Sequence, residues 1–168
     1  MVHQNCVYAC PTPIQEAVAR GFEKGMGRLE SEECYFRSIS KDLASKRDFC
    51  VEMLEEVGMH PVVPEGGYFI MADWSSLTDR IDLSSESDPQ RDYRFVKWLT
   101  KNRGLQGIPP SAFFCQEHKS IGEDYIRYLL SDKSIFYELC FRFCFIKHQD
   151  SLSKARDILT AWRKELEG

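Results

Sequence analysis

The chain has 168 residues, enough for one compact domain with an appended arm. Its residues are 43% hydrophobic and 29% charged, with a net charge of -4 and both signs interspersed, so a real core can be buried but no basic face tracks phosphates. No run approaches the roughly 20 apolar residues a spanning helix needs, so neither membrane nor nucleic acid is an expected partner.

In chain order, Met1 to Asn5 is polar and carries no signal-peptide pattern. With an odd count of seven cysteines, this points to reduced thiols inside the cell. Thr12-Pro13-Ile14-Gln15 reads as a helix start: Thr12 as cap, Pro13 at the first turn, Gln15 returning to the cap amide. Ile14, Ala17, Val18, Gly21 and Phe22 then share one apolar face, and Gly25 and Gly27 weaken the far end. A second helix is predicted from Lys41 to Val57 and stopped by Gly58, with Leu43, Cys50, Leu54 and Val57 on its apolar side.

His60 to Val63 and Tyr68 to Ala72, separated by Pro64-Glu65-Gly66-Gly67, read as a hairpin-like strand pair. Thr78 to Pro89 is rich in Ser and Asp and reads as an exposed loop. Phe95, Val96, Trp98 and Leu99 mark a third helix ending at Gly104, and Leu105 to Ile108 a strand closed by Pro109-Pro110. Phe141 to Ile146 is strand-like, and a last helix beginning near Asp150 or Ser151 aligns Leu152, Ala155, Leu159 and Trp162. The predicted fold class is α/β, a small mixed sheet with long helices packed on it.

Few residues suggest chemistry. Cys140, Cys144 and His148 recur every four residues, but along a strand four residues advance about 13 Å, too far to share one tetrahedral ion. No metal site is expected. Ser38-Ile39-Ser40-Lys41 has the Ser-x-x-Lys spacing of serine acyl-enzymes, yet no partner motif accompanies it, and it reads as a helix cap. His3, His60, His118 and His148 are scattered and form no nucleophile constellation. Arg142 is different, because it sits among residues that favour burial in Cys140-Phe141-Arg142-Phe143-Cys144-Phe145. A guanidinium there must meet an anion or edge into solvent. Its planar fork suits a carboxylate, either of an internal Asp or Glu or of a bound molecule.

Four segments, taken in order, resemble the carboxy-terminal third of the kynurenine aminotransferase, glutamine transaminase K and cysteine-conjugate β-lyase family. They are His3 to Gln15, Pro64 to Asp73, Tyr93 to Leu99 with Gly107 to Phe113, and Arg142 to Lys147. The resemblance implies the small carboxy-terminal domain of a fold-type I enzyme that uses pyridoxal phosphate as electron sink. It implies amino-acid and 2-oxo-acid substrates of the kynurenine, glutamine or cysteine-conjugate class, a homodimer in the complete enzyme, and a β-lyase side activity. The arginine matching Arg142 clamps the substrate carboxylate, Phe113 matches a position lining the pocket, and Tyr8 lies on a segment that approaches the partner subunit's site. Residues 1–30 then correspond to the tail of the large domain and a connecting helix, and 31–168 to the small domain.

Two departures qualify this. The family's Schiff-base lysine lies in a Gly-Trp-Lys context that is absent here. The chain is therefore expected to hold no catalytic lysine, to bind no pyridoxal phosphate alone and to be inactive alone, or else to serve as a non-catalytic domain that associates with full-length subunits. The family pattern Tyr-Ile-Arg-Phe-Cys-Phe is also split here between Tyr125-Ile126-Arg127 and Arg142-Phe143-Cys144-Phe145, so residues 128–141 read as an insertion. The expected location is the cytoplasm, or the mitochondrion where a targeting segment precedes the chain.

Overall fold

The computed structural model describes residues 10–113 and 140–167. It divides into two compact units, residues 1–42 and 43–168.

In the first unit, helix α1 spans Thr12–Met26. Pro11, not Thr12, is its cap, and Gln15 Nε2 donates to the Cys10 carbonyl at 2.7 Å rather than returning to a cap amide. Proline has no N–H to leave unsatisfied and its fixed φ is already helical, so Pro13 starts the helix without a side-chain cap. The predicted apolar face is present and open to solvent: Ile14 is 62% exposed, Val18 52% and Phe22 54%. Phe22 stacks on Phe36 with ring centroids 6.1 Å apart. Gly25 permits this arrangement, since a Cβ there would stand 2.9 Å from the Phe36 ring.

Helix α2 spans Tyr35–Glu56 and begins six residues before the predicted start. Ser38 and Lys41 lie inside it: Ser38 Oγ donates to the Tyr35 carbonyl at 3.1 Å, and Lys41 pairs with Glu32. The Ser-x-x-Lys segment is thus helix interior, not a cap. At the other end the Met59 N–H bonds to the Leu54 carbonyl and the Gly58 N–H to the Glu55 carbonyl, at 3.0 and 2.9 Å. This is the double closure of a Schellman motif, and it requires the left-handed φ of +91° that Gly58 adopts. Leu54 and Met59, which flank that closure, are both buried in the core.

In the second unit, strands β1 (His60–Val62), β2 (Phe69–Asp73) and β3 (Cys140–Cys144) form a sheet in the order β1-β2-β3. The hairpin is in place, with His60 opposite Asp73 and Val62 opposite Met71. β3 lies on the other side of β2, with Phe69 opposite Cys144 and Met71 opposite Arg142. The expected mixed sheet is corrected in one respect: among the described residues both strand pairings are antiparallel. The strand predicted at Leu105–Ile108 is reduced to a single antiparallel bridge, Ile108 with Arg142, closed by two hydrogen bonds of 2.9 Å.

Helices α3 (Arg91–Arg103) and α4 (Gln149–Glu167) complete the unit. Ile70, Ala72 and Phe143, on one face of the sheet, share a single core with Met53, Leu54, Phe95, Leu99, Leu152 and Trp162. Trp74 stacks on Phe95 at 4.1 Å, and Trp98 meets Trp162 at 5.5 Å. The α4 stripe is therefore buried in the core of the second unit, whereas Ile14, Val18 and Phe22 of the α1 stripe are exposed. The segment expected as an exposed loop is also partly core. The 3₁₀ turn Ser75–Arg80 runs into it, and it buries Ile81 and Glu86, the second of which receives Lys101 Nζ on both oxygens at 2.8 Å.

Candidate active site around Arg142

Alternation along β2 and β3 gives the sheet two unlike faces. Ile70, Ala72 and Phe143 point to the core, while Phe69, Met71, Arg142 and Cys144 share the opposite, half-open face. The chain thereby avoids the cost of burying a lone guanidinium within an apolar strand. Arg142 stands opposite Met71 in the β2–β3 register and exchanges both of its backbone hydrogen bonds with Ile108 on its other side, so the strand that carries it is fixed.

Two aromatic rings lie beside its side chain. The guanidinium carbon stands 3.4 Å from the centroid of the Phe69 ring and 4.6 Å from that of Phe113. Each contact of this kind contributes about 0.5–2 kcal/mol, the higher figure applying where water is excluded. Stacking uses the faces of the guanidinium and leaves its in-plane N–H donors for an anion. Among the described residues no carboxylate forms an ion pair with Arg142, unlike Arg103 with Glu165 at 2.7 Å or Arg47 with Asp48 at 2.7 Å. The internal Asp or Glu that would have made Arg142 an ordinary structural cation is not found there.

Phe113 reaches this place from a separate element. It ends the 3₁₀ turn Pro110–Phe113 and is 57% exposed. The turn is held at Ser111, whose N–H and hydroxyl both donate to the carboxylate of Asp92, at 2.8 and 2.9 Å. Asp92 is fully buried in the first turn of α3. It attracts no notice in the sequence, where an acidic residue in the first turn of a helix reads as ordinary dipole matching. The signal that could have found it is the coincidence of a helix start with the Pro-Pro-Ser turn 19 residues later.

Of the three residues singled out from the sequence, Arg142 and Phe113 are thus brought together, and Tyr8 lies outside the described residues. So do Arg127 and residues 128–139 of the expected insertion, while Cys140 and Phe141 form the first two positions of β3. His60 opens β1 at the surface, and exposed His148 lies 3.3 Å from Asp150. Among the described residues no three His, Cys, Asp or Glu side chains gather as a metal site would require. Nor do the described lysines fit the anchoring of an aldehyde cofactor, which needs a desolvated amine. All are exposed except Lys46, which is half-buried on α2. No described helix is long and apolar enough to cross a membrane.

The chain is 44% identical over 165 residues to kynurenine–oxoglutarate transaminase 3 of Bos taurus, spanning 98% of this chain and 33% of that protein. It is 35% identical over 166 residues to kynurenine–oxoglutarate transaminase 1 of Homo sapiens, spanning 36% of it. Among solved structures, Bna3p of Saccharomyces cerevisiae superposes over 96% of this chain and 34% of its own, with a TM-score of 0.74 at 24% identity. YbdL of Escherichia coli, a methionine aminotransferase, does so over 95% and 33%, with a TM-score of 0.61 at 27% identity. No protein-family model matches the chain. The chain is therefore homologous, over nearly its whole length, to kynurenine–oxoglutarate transaminases, has an aminotransferase fold, and spans about a third of their length.

Proposed function

We propose that this chain is the carboxy-terminal, carboxylate-binding part of an aminotransferase that exchanges an amino group between an amino acid of the kynurenine, glutamine or cysteine-conjugate class and a 2-oxo acid. The single observation that carries the proposal is Arg142: a guanidinium in contact with two phenyl rings on a half-open sheet face, with no described carboxylate paired to it. A planar, bidentate cation of this kind selects a carboxylate over a single-point anion. Both substrates of a transamination carry an α-carboxylate, so one arginine serves both half-reactions. Phe113 walls the site beside it, and Tyr8 lies on the segment that approaches the partner subunit's site in the complete enzyme.

Pyridoxal phosphate in the complete enzyme supplies the electron sink of the reaction. The Gly-Trp-Lys context of the family's anchoring lysine occurs nowhere in this sequence, which supports reading the 168 residues as inactive alone. Incubation with pyridoxal phosphate, borohydride reduction and peptide mapping should give no stoichiometrically labelled lysine. One fully labelled lysine would remove this part of the proposal.

The clamp is tested in a complete enzyme, made by joining the chain to the remaining two-thirds of a kynurenine–oxoglutarate transaminase. Arg142→Ala should lower kcat/KM for kynurenine and for 2-oxoglutarate by roughly 30-fold to several thousand-fold, the equivalent of about 2–5 kcal/mol for one partner of a bidentate charge pair. Arg142→Lys should recover only part of this, because an ammonium lacks the fork. Arg127→Ala should leave both substrates bound. Should Arg127→Ala abolish binding while Arg142→Ala does not, the assignment of the clamp is wrong.

A further inference from the structure

We propose that Asp92 is a positioning residue for this carboxylate site, acting through Ser111 to hold Phe113 against Arg142. The proposal rests on the reading of Arg142 given above. Asp92 is 0% exposed, yet each charge-bearing oxygen has a neutral donor: the Tyr93 N–H at 2.9 Å and the Ser111 hydroxyl at 2.9 Å on Oδ1, and the Ser111 N–H at 2.8 Å on Oδ2. An uncompensated buried carboxylate is unfavourable, so these donors and the positive end of α3 are what keep it there. Two of the three donors belong to one residue, 19 positions further along the chain. A bidentate grip fixes the direction of the turn as well as its distance.

That direction matters because the other bond of the turn, from the Ala112 N–H to the Pro109 carbonyl at 3.1 Å, closes the turn on itself without tying it to α3. Pro110 and Ser111 are buried, whereas Ala112 and Phe113 are exposed. Upstream, the segment is fastened to β3 by the Ile108–Arg142 bridge. The path from Ile108 to Phe113 therefore has two fixed points, the backbone of Arg142 and the carboxylate of Asp92. With both in place, the Phe113 ring meets the guanidinium at 4.6 Å, in addition to the contact from Phe69 at 3.4 Å. Released from Asp92, a half-exposed phenylalanine is free to swing away, and Arg142 loses one of the two rings that set the plane of its fork. Asp92 contacts Ser111 and Tyr93 among the described residues, so its effect on a bound carboxylate is indirect.

The test uses the 168-residue chain, labelled with 15N, and the side-chain Nε–Hε resonance of Arg142, assigned by its disappearance in Arg142→Lys. Ring currents from Phe69 and Phe113 should displace this resonance, and Phe113→Leu should remove the share due to Phe113. Asp92→Asn and Ser111→Ala should each reproduce the Phe113→Leu position, while Ser111→Thr, which keeps the hydroxyl, should restore the native one. Thermal unfolding establishes that each variant is folded. If Asp92→Asn does not fold, Ser111→Ala, which retains the backbone N–H, decides alone. A native resonance in folded Ser111→Ala overturns the proposal. Titration with 2-oxoglutarate then separates the two readings. The native resonance should move on addition, with binding about tenfold weaker in the Asp92 and Ser111 variants, as expected for a hydrogen bond to a charged group. No movement in the native chain removes the carboxylate role of Arg142, whereas the ring-current comparison still decides what Asp92 does.

Discussion

Cys50 illustrates how much a single residue's surroundings alter its chemistry. It is fully buried on α2, and burial, with a smaller contribution from Cys144, pushes its thiol up to about 12. The sequence marks Cys50 as one apolar-face residue among seven cysteines, which is correct for packing and silent on reactivity. In the folded chain Cys50 should resist an alkylating reagent at pH 8, while exposed Cys10 reacts promptly. Mass mapping of the modified peptides checks this, and equal labelling of the two would contradict the burial. The sign of the pH effect on stability follows from the raised value. Below the unfolded thiol's ordinary pKa near 9 both states are protonated, and the contribution of Cys50 is fully present. Between pH 9 and 12 only the unfolded state ionises, so each pH unit removes up to about 1.4 kcal/mol of stability. Cys50→Ala should flatten that alkaline loss.

Among elements, the end of α2 is the most sharply determined by local chemistry. Gly58 stops the helix where the sequence predicts, with a φ of +91° that closes both Schellman bonds. Space is not the constraint, because a Cβ there would meet Leu77 Cδ2 at 3.8 Å, an ordinary contact. Gly58→Ala should therefore cost only the left-handed backbone strain, about 1–2 kcal/mol. Chemical denaturation would show a lower midpoint with an unchanged slope. A loss above about 4 kcal/mol would mean that the substitution disturbs packing as well. The start of α2 is legible only in part. Tyr35 to Ser40 carries too little apolar periodicity to announce a helix, and the Ser-x-x-Lys spacing inside it imitates a cap. The second half of the hairpin shows the reverse case, since Tyr68 to Ala72 declares itself by composition and β2 follows within a residue.

For the molecule as a whole, the two apolar stripes have opposite fates. Leu152, Ala155, Leu159 and Trp162 of α4 close the core of the second unit, whereas Ile14, Val18 and Phe22 of α1 face solvent. Val18 and Phe22, together with Gly21, Gly25, Tyr35 and Phe36, line a groove of about 270 Å³ in the first unit. Open apolar surface of this kind drives association. The isolated chain should self-associate with rising concentration, and the double substitution Val18→Glu and Phe22→Glu should shift it toward monomer. Sedimentation velocity over a hundredfold concentration range measures this. A monomer throughout would show that the stripe is not adhesive. This exposure accords with the proposed reading of residues 1–30 as a segment that meets the remainder of an enzyme or a second subunit.

The sequence by itself determined the four described helices, the hairpin, the glycine stop of α2, the apolar faces of the helices and the resemblance that marks Arg142 and Phe113. These are properties of local periodicity, turn chemistry and motif, and they survive without knowledge of what packs on what. Only the tertiary structure decided which side of β3 is core and which is open, because a strand's alternation gives two faces but not their partners. It also decided that Arg142 meets two phenyl rings rather than an internal carboxylate among the described residues, and that Leu105 to Ile108 contributes one bridge instead of a strand. Asp92 belongs wholly to this second kind. Its partner Ser111 is 19 residues away, and a hydrogen bond across that distance leaves no period or spacing in the sequence from which it could be read.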